Sequence, residues 1–152
     1  MKRQIMPGVI DGQQALCCVG PDSSAQEAAE LMAERRIGAV LVMHDAKLVG
    51  ILTERDMVFR VIAKGRNPQS TKVSEVMTAD PITVKPSDSG TLALETMSER
   101  HFRHLPVLDG SDVLGIVSIR DLYEAIRGSL EEELRGAETL IYGDQYGSGT
   151  AA

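Results

Sequence analysis

Along this chain, short apolar runs four to six residues long alternate with stretches in which apolar residues return every three or four positions. The runs read as strands and the stretches as amphipathic helices. LCCV at 16–19 predicts a first strand. Ser24 followed by Glu27 predicts a capping box opening a helix that runs to about Arg36, with Ala28, Leu31 and Met32 on its apolar face. AVLVM and KLVGIL predict two strands joined by a turn at His44 to Ala46. A second helix is expected from Thr53 to about Ala63, burying Met57, Val58, Val61 and Ile62 and ended by Gly65. A polar stretch, KGRNPQSTKVSEVMTAD, closes with a short SEVM turn of helix. The same order then returns: PITV, a helix over about 90–100, HLPVL, DVLGIV and a helix opening at Ser118. Pro106 inside HLPVL predicts an edge position or a strand start, because proline has no N–H to give a ladder.

The return is literal. Shifted by 65 positions, residues 19–57 align with 84–122 without a gap. Pro21 meets Pro86, Ala28 meets Ala93, Met32 meets Met97, Arg35 meets Arg100 and Val42 meets Val107. GILTERD (50–56) meets GIVSIRD (115–121), with Thr53 exchanged for Ser118 and its hydroxyl kept. A unit of about 60 residues buries little surface alone, so two copies in one chain are expected to pack on each other with approximate twofold symmetry. The fold class is therefore α+β, two β-α-β-β-α repeats forming one compact module. Past Ser118 the helical pattern continues to about Tyr142, with Leu122, Ile126, Leu130, Leu134, Ala137 and Ile141 near one face and Gly128 and Gly136 weakening it. Such a face suits a second subunit.

Composition narrows the function. The net charge of −6 and the scattered Lys and Arg residues disfavour a polyphosphate backbone, and 3% aromatic content without Trp offers few stacking platforms, so nucleic acid is not an expected partner. The apolar runs fall far short of the roughly 20 residues of a membrane span. The start MKRQIMPGVIDG breaks into Pro, Gly and Asp before a signal-peptide core can form, which reads as cytoplasmic. Cys17 and Cys18 are adjacent, a spacing that suits neither a disulfide framework nor a zinc site, and His101 with His104 lacks further ligands, so no metal is expected.

GILTERD and GIVSIRD have two readings. In one, Thr53 with Asp56 and Ser118 with Asp121 only cap helix starts, hydroxyl and carboxylate satisfying free backbone N–H groups. In the other, the helix tip offers bare amides and positive dipole to a phosphate, while the Asp one turn on accepts hydrogen bonds from a ribose diol, about 1.5–3 kcal/mol each. Phosphate and ribose together mean a nucleotide, and the repeat makes two sites. Arg55 and Arg120, in the first turn where they oppose the dipole, are either solvated charges or phosphate or subunit contacts.

Those two motifs, with KVSEVMTADPITVKP, RIGAVLV and HFRHLPV, make the chain resemble the tandem cystathionine β-synthase (CBS) domain pair, or Bateman module, over about 125 residues. The resemblance implies a regulatory, non-catalytic module whose inter-repeat clefts bind adenosine-containing ligands: AMP first, with ADP, ATP, NAD or S-adenosylmethionine as others. It implies repeat 1 over 8–65 and repeat 2 over 76–128; the polar stretch between them reads as a linker over 66–75, the continued helical pattern as a C-terminal helix extension over 129–142, and the remainder as a flexible tail over 143–152. It implies crossed sites, Thr53, Arg55 and Asp56 sharing a cleft with Ile82, Thr83, Arg103, His104 and Pro106, and Ser118, Arg120 and Asp121 sharing the other with Cys17, Cys18, Ile37, Gly38 and Ala39. With Arg103 and His104 opposite Gly38 and Ala39, the first cleft is expected to prefer more phosphate charge. The expected partners are an adenosyl ligand, a second copy of the chain as a homodimer and an unidentified protein target. The alternatives are an interaction module with vestigial clefts and a thiol or redox sensor.

Overall fold

The structure is a computed structural model and describes residues 3–12 and 14–147, with side chains to 141. Its strands are β1 (Cys18–Val19), β2 (Ala39–His44), β3 (Lys47–Thr53), β4 (Thr78–Ala79), β5 (His104–Asp109) and β6 (Asp112–Ser118). Its helices are α1 (Ala25–Arg35), α2 (Glu54–Asp56), α3 (Val73–Val76), α4 (Gly90–Arg100) and α5 (Ile119–Gly147). One sheet runs β1-β2-β3-β4 and a second pairs β5 with β6.

Local chemistry explains most of these elements. α1 opens on the full Ser24–Glu27 capping box, and Ser89 caps α4 through the Leu92 N–H. The β2–β3 hairpin closes on Asp45 and Ala46, both at positive φ (49° and 61°). That twist suits a two-residue turn between right-twisted strands. Pro106 carries its missing N–H on the edge of β5 away from β6, the edge where its carbonyl accepts the Val84 N–H at 2.9 Å.

The repeat survives in three dimensions. Val19 pairs in parallel with Val42, and the single bridge between Val84 and Val107 lies 65 positions further on. PITV is thus one bridge rather than a strand; the strand of this region is β4, which pairs antiparallel with β3. The repeats also exchange their opening segments. Val73 and Val76 of α3 are buried with Ala28, Val40, Leu52 and Val61, while Ile5 and Ile10 are buried with Val84, Met97, Leu105 and Leu122. Each segment lies against the loop entering the helix it covers: the Val73 amide donates to the Ser23 carbonyl and the Ile5 amide to the Asp88 carbonyl, both at 2.8 Å.

After α2 the chain widens into a π-helical turn, Met57–Ile62. Only Val61 of the expected stripe is fully buried there; Val58, Phe59 and Ile62 are exposed. The wider turn changes the angular step per residue, so a stripe counted at 3.6 residues per turn comes out of phase. α5 continues past Tyr142 to Gly147; residues 148–152 of the expected flexible tail lie outside the described residues. Beyond Leu122 its apolar face is largely uncovered, and Arg3 ties it to the N-terminal segment through a 2.9 Å ion pair with Glu132.

Candidate functional site between the repeats

Two clefts open where the repeats meet, of about 520 and 620 Å³. Strand β3 delivers Thr53 and α2 delivers Asp56 to the first; β6 and α5 deliver Ser118 and Asp121 to the second.

Both aspartates fold back onto their own helix starts. The Thr53 amide donates to Asp56 Oδ2 at 3.0 Å and the Asp56 amide to the Thr53 hydroxyl at 3.2 Å. The second tip repeats this: the Ser118 amide donates to Asp121 Oδ2 at 2.8 Å and the Asp121 amide to the Ser118 hydroxyl at 3.1 Å. The Glu54 amide is bound to the Gly38 carbonyl and the Ile119 amide to the Arg103 carbonyl, both at 2.9 Å. Most donors at each tip are therefore used within the protein, and the expectation of bare amides facing a phosphate gives way to capped tips. Each carboxylate spends Oδ2 on its cap. Asp56 Oδ1 stands 3.7 Å from Arg60 Nε, and Asp121 Oδ1 has no hydrogen bond or ion pair among the described residues. The grooves beside them stay open, and in each aspartate the cap engages Oδ2 and not Oδ1.

The first cleft brings together Thr53, Arg55, Asp56, Ile82, Arg103 and His104; Thr83 and Pro106 do not line it. The second brings together Cys17, Ile37, Gly38, Ala39, Ser118, Arg120 and Asp121, without Cys18. Both linings stop at these positions along the chain: Pro81 and Ile82 line the first cleft and Gln14 to Cys17 the second, while Thr83 and Cys18 do not. Pro106 is buried within β5.

Several lining residues have no sequence signal of their own. Phe59 and Phe102 add aromatic surface to the first cleft. In the second, the Ile116 amide donates to Gln14 Oε1 at 2.7 Å, so a side chain takes the edge that β4 takes beside Ile51. Arg36, in the left-handed conformation that ends α1, joins that cleft. Glu54, Arg103 and His104 line both clefts, so Arg103 and His104 are not confined to the first cleft as expected. They meet at a narrow waist, where a Cβ on Gly38 would lie 3.3 Å from Glu54 Oε1 and from His104 Cε1. The repeat could have pointed to this place, because Gly38 and Arg103 are 65-residue equivalents, as are Glu54 and Ile119.

Burial lowers the His104 pKa from its ordinary value, with Arg103 acting the same way and Glu54 and Asp121 opposing. Desolvation, with the neighbouring Cys17, pushes the Cys18 thiol up, which leaves it less thiolate than an ordinary cysteine at neutral pH. Arg55 donates to the His101 carbonyl at 3.1 Å across the repeat boundary and lies 5.9 Å from the centre of the Phe59 ring. Arg120 pairs with Glu124 along its own helix. No group of three or more metal-ligating side chains occurs among the described residues, and no described helix is long and apolar enough to cross a membrane.

Comparison with known proteins agrees with this architecture. The chain is 33% identical over 138 residues to the mitochondrial CBS domain-containing protein CBSX3 of Arabidopsis thaliana, an alignment covering 88% of this chain and 66% of that protein. Among solved structures, a putative signal-transduction protein with CBS domains from Burkholderia ambifaria superposes with a TM-score of 0.77 at 34% identity, over 82% of this chain and 93% of that one. A CBS domain protein from Pyrobaculum aerophilum, solved in complex with AMP, superposes at 0.66 over 72% of this chain and 84% of that one; at 24% identity that likeness speaks to the fold. The CBS domain model matches twice, at residues 6–63 and 73–128, once on each copy of the repeat, and the chain belongs to the CBS-domain family as a tandem pair.

Proposed function

We propose that this chain is a non-catalytic regulatory module that takes an adenosine-containing nucleotide in each inter-repeat cleft and passes occupancy on as a change in shape or oligomeric state. AMP is the first choice, with ADP, ATP and NAD as alternatives. The observation that carries this reading is the pair of open clefts, each with an aspartate whose Oδ1 is not spent on its cap. Their volumes fall in the usual 300–1,000 Å³ range for small-ligand sites. A charged acceptor of that kind suits a vicinal diol. Ile82 and Phe102 in the first cleft, and Leu16, Ile37 and Ile116 in the second, supply apolar walls for a base. The AMP-bound relative supports the capacity of the fold for such a ligand.

We read the module as a cytoplasmic homodimer. The exposed Val58, Phe59, Ile62 and Tyr123 are apolar surface that a second copy would cover. Ligand action is a population shift, limited to the difference in its affinity for two packings of the repeats. The test is thermal melting with AMP, ADP, ATP and NAD. A ligand at about 100 times its Kd stabilises by about 2.7 kcal/mol, and no shift with any of them at millimolar concentration counts against the reading.

One observation favours a second reading, an interaction module with unused clefts: Leu130, Leu134, Leu140 and Ile141 are exposed along α5. Asp56→Asn with Asp121→Asn separates the two. Loss of a ligand-induced melting shift with partner capture unchanged supports the first, and no ligand effect even in the unaltered protein supports the second.

A further inference from the structure

The clefts share a wall, and the guanidinium groups around it are unequally committed. In the first cleft Arg55 is held by the His101 carbonyl and Phe59, and Arg60 by the Val76 and Met77 carbonyls at 3.3 and 2.7 Å and by Asp56. Among the described residues, the Arg103 guanidinium makes no hydrogen bond or ion pair, and Arg103 is a lining residue of both clefts. Because the helix tips spend most of their amides on their own caps, a phosphate in either cleft has to be held chiefly by side-chain cations.

We propose that Arg103 is a phosphate-holding side chain shared by the two clefts, so that a phosphate-bearing nucleotide in one weakens the binding of a second in the other, while a nucleoside without phosphate carries no such penalty. This rests on the nucleotide reading above. The waist holds one shared cation and one shared carboxylate, Glu54, so its charges already balance before any ligand arrives. Each monophosphate brings about −1.5 to −2 charges at neutral pH. The first can draw Arg103 toward itself; the second meets a cation already engaged, the first phosphate and the Glu54 carboxylate. Arg55 and Arg60 line only the first cleft and Arg36 and Arg120 only the second; of these four, Arg36 alone has a guanidinium without a hydrogen bond or ion pair among the described residues, so the second cleft fills first.

The test is calorimetric titration of AMP and of adenosine into the full chain and into Asp56→Asn and Asp121→Asn, each of which leaves one cleft intact and keeps a cap acceptor. Each variant is expected to bind one AMP. In the unaltered protein the second AMP is expected to bind at least about fivefold more weakly than it binds the same cleft alone, the low end of measured couplings, and the gap should narrow as salt is raised. Adenosine should show no gap. Arg103→Gln should weaken AMP in both clefts by about tenfold or more and change adenosine affinity less than about twofold. Two AMP sites with the same affinities in the full chain as in the single-cleft variants, an Arg103→Gln effect confined to one cleft, or one variant binding no AMP would each overturn the proposal. No binding of AMP or adenosine by any folded variant would overturn the nucleotide reading with it.

Discussion

Asp56 and Asp121 cap their helix starts through Oδ2, and the nucleotide proposal gives Oδ1 a second duty that substitutions can separate from the first. Asp56→Asn retains an acceptor for the Thr53 amide, whereas Asp56→Ala loses the cap, so Ala is expected to cost about 1 kcal/mol more stability in urea denaturation. Both are expected to weaken a nucleotide in the first cleft by at least about tenfold, read by calorimetry. His104 supplies a pH dependence. Its pKa in the folded chain lies below the ordinary 6.5, because burial disfavours the charged ring more than Glu54 and Asp121 favour it. Between the two values the unfolded chain binds a proton that the folded chain refuses. The stability is complete above the unfolded value and is lost as pH falls through it toward the folded one. Melting curves between about pH 7.5 and pH 5.5 should therefore drop further for the unaltered protein than for His104→Gln. The motif residues at this scale were legible because the chain repeats them. Glu54 and Arg103 were harder to place: the first reads as helix-start filler, and the role of the second depends on a wall shared by both clefts.

Among the elements, the equivalent glycines Gly50 and Gly115 of β3 and β6 differ in what crowds them. A Cβ on Gly50 would strike the Met77 side chain and come within 3.0 Å of the Thr78 carbonyl, part of the β4 backbone, whereas one on Gly115 would strike chiefly the Gln14 side chain. Gly50→Ala is therefore expected to destabilise by about 1–3 kcal/mol, and Gly115→Ala by less, with Gln14→Ala relieving most of the Gly115→Ala cost in a double-mutant cycle. On α5, Gly136 has open space where a Cβ would go, so Gly136→Ala should stabilise the helix by up to about 1 kcal/mol, visible as increased helical circular dichroism on heating. Hairpins and caps were readable because their signals are local: Ser24 with Glu27, and an Asp45–Ala46 turn between two apolar runs. The π-helical turn at Met57–Ile62 was not, because its phase depends on the surface it packs against.

At the scale of the whole molecule, the exchange of opening segments makes the pair one folding unit. Val73 and Val76 complete the core of the first repeat, and Ile5 and Ile10 that of the second. All residues lining the two clefts precede α5's exposed extension. A chain ending at residue 128 is thus expected to keep a nucleotide-dependent melting shift, while its self-association, read by sedimentation, weakens with loss of the exposed Leu130 to Ile141 face. An unchanged sedimentation coefficient, after correction for mass, would remove that face from the proposed dimer.

The amino-acid sequence by itself determined the duplication, the mixed α and β order of each copy, the capped helix starts and the carboxylates beside them, because caps, turns and periodic faces are set by neighbours a few positions apart. Tertiary structure decided which segment completes which core, that PITV makes one bridge while Thr78–Ala79 makes the strand, and that Glu54, Arg103 and His104 stand at a waist common to both clefts. Those outcomes depend on how the two repeats pack, which brings Gly38, Glu54 and His104 together from well-separated places in the chain, where no local pattern records the meeting.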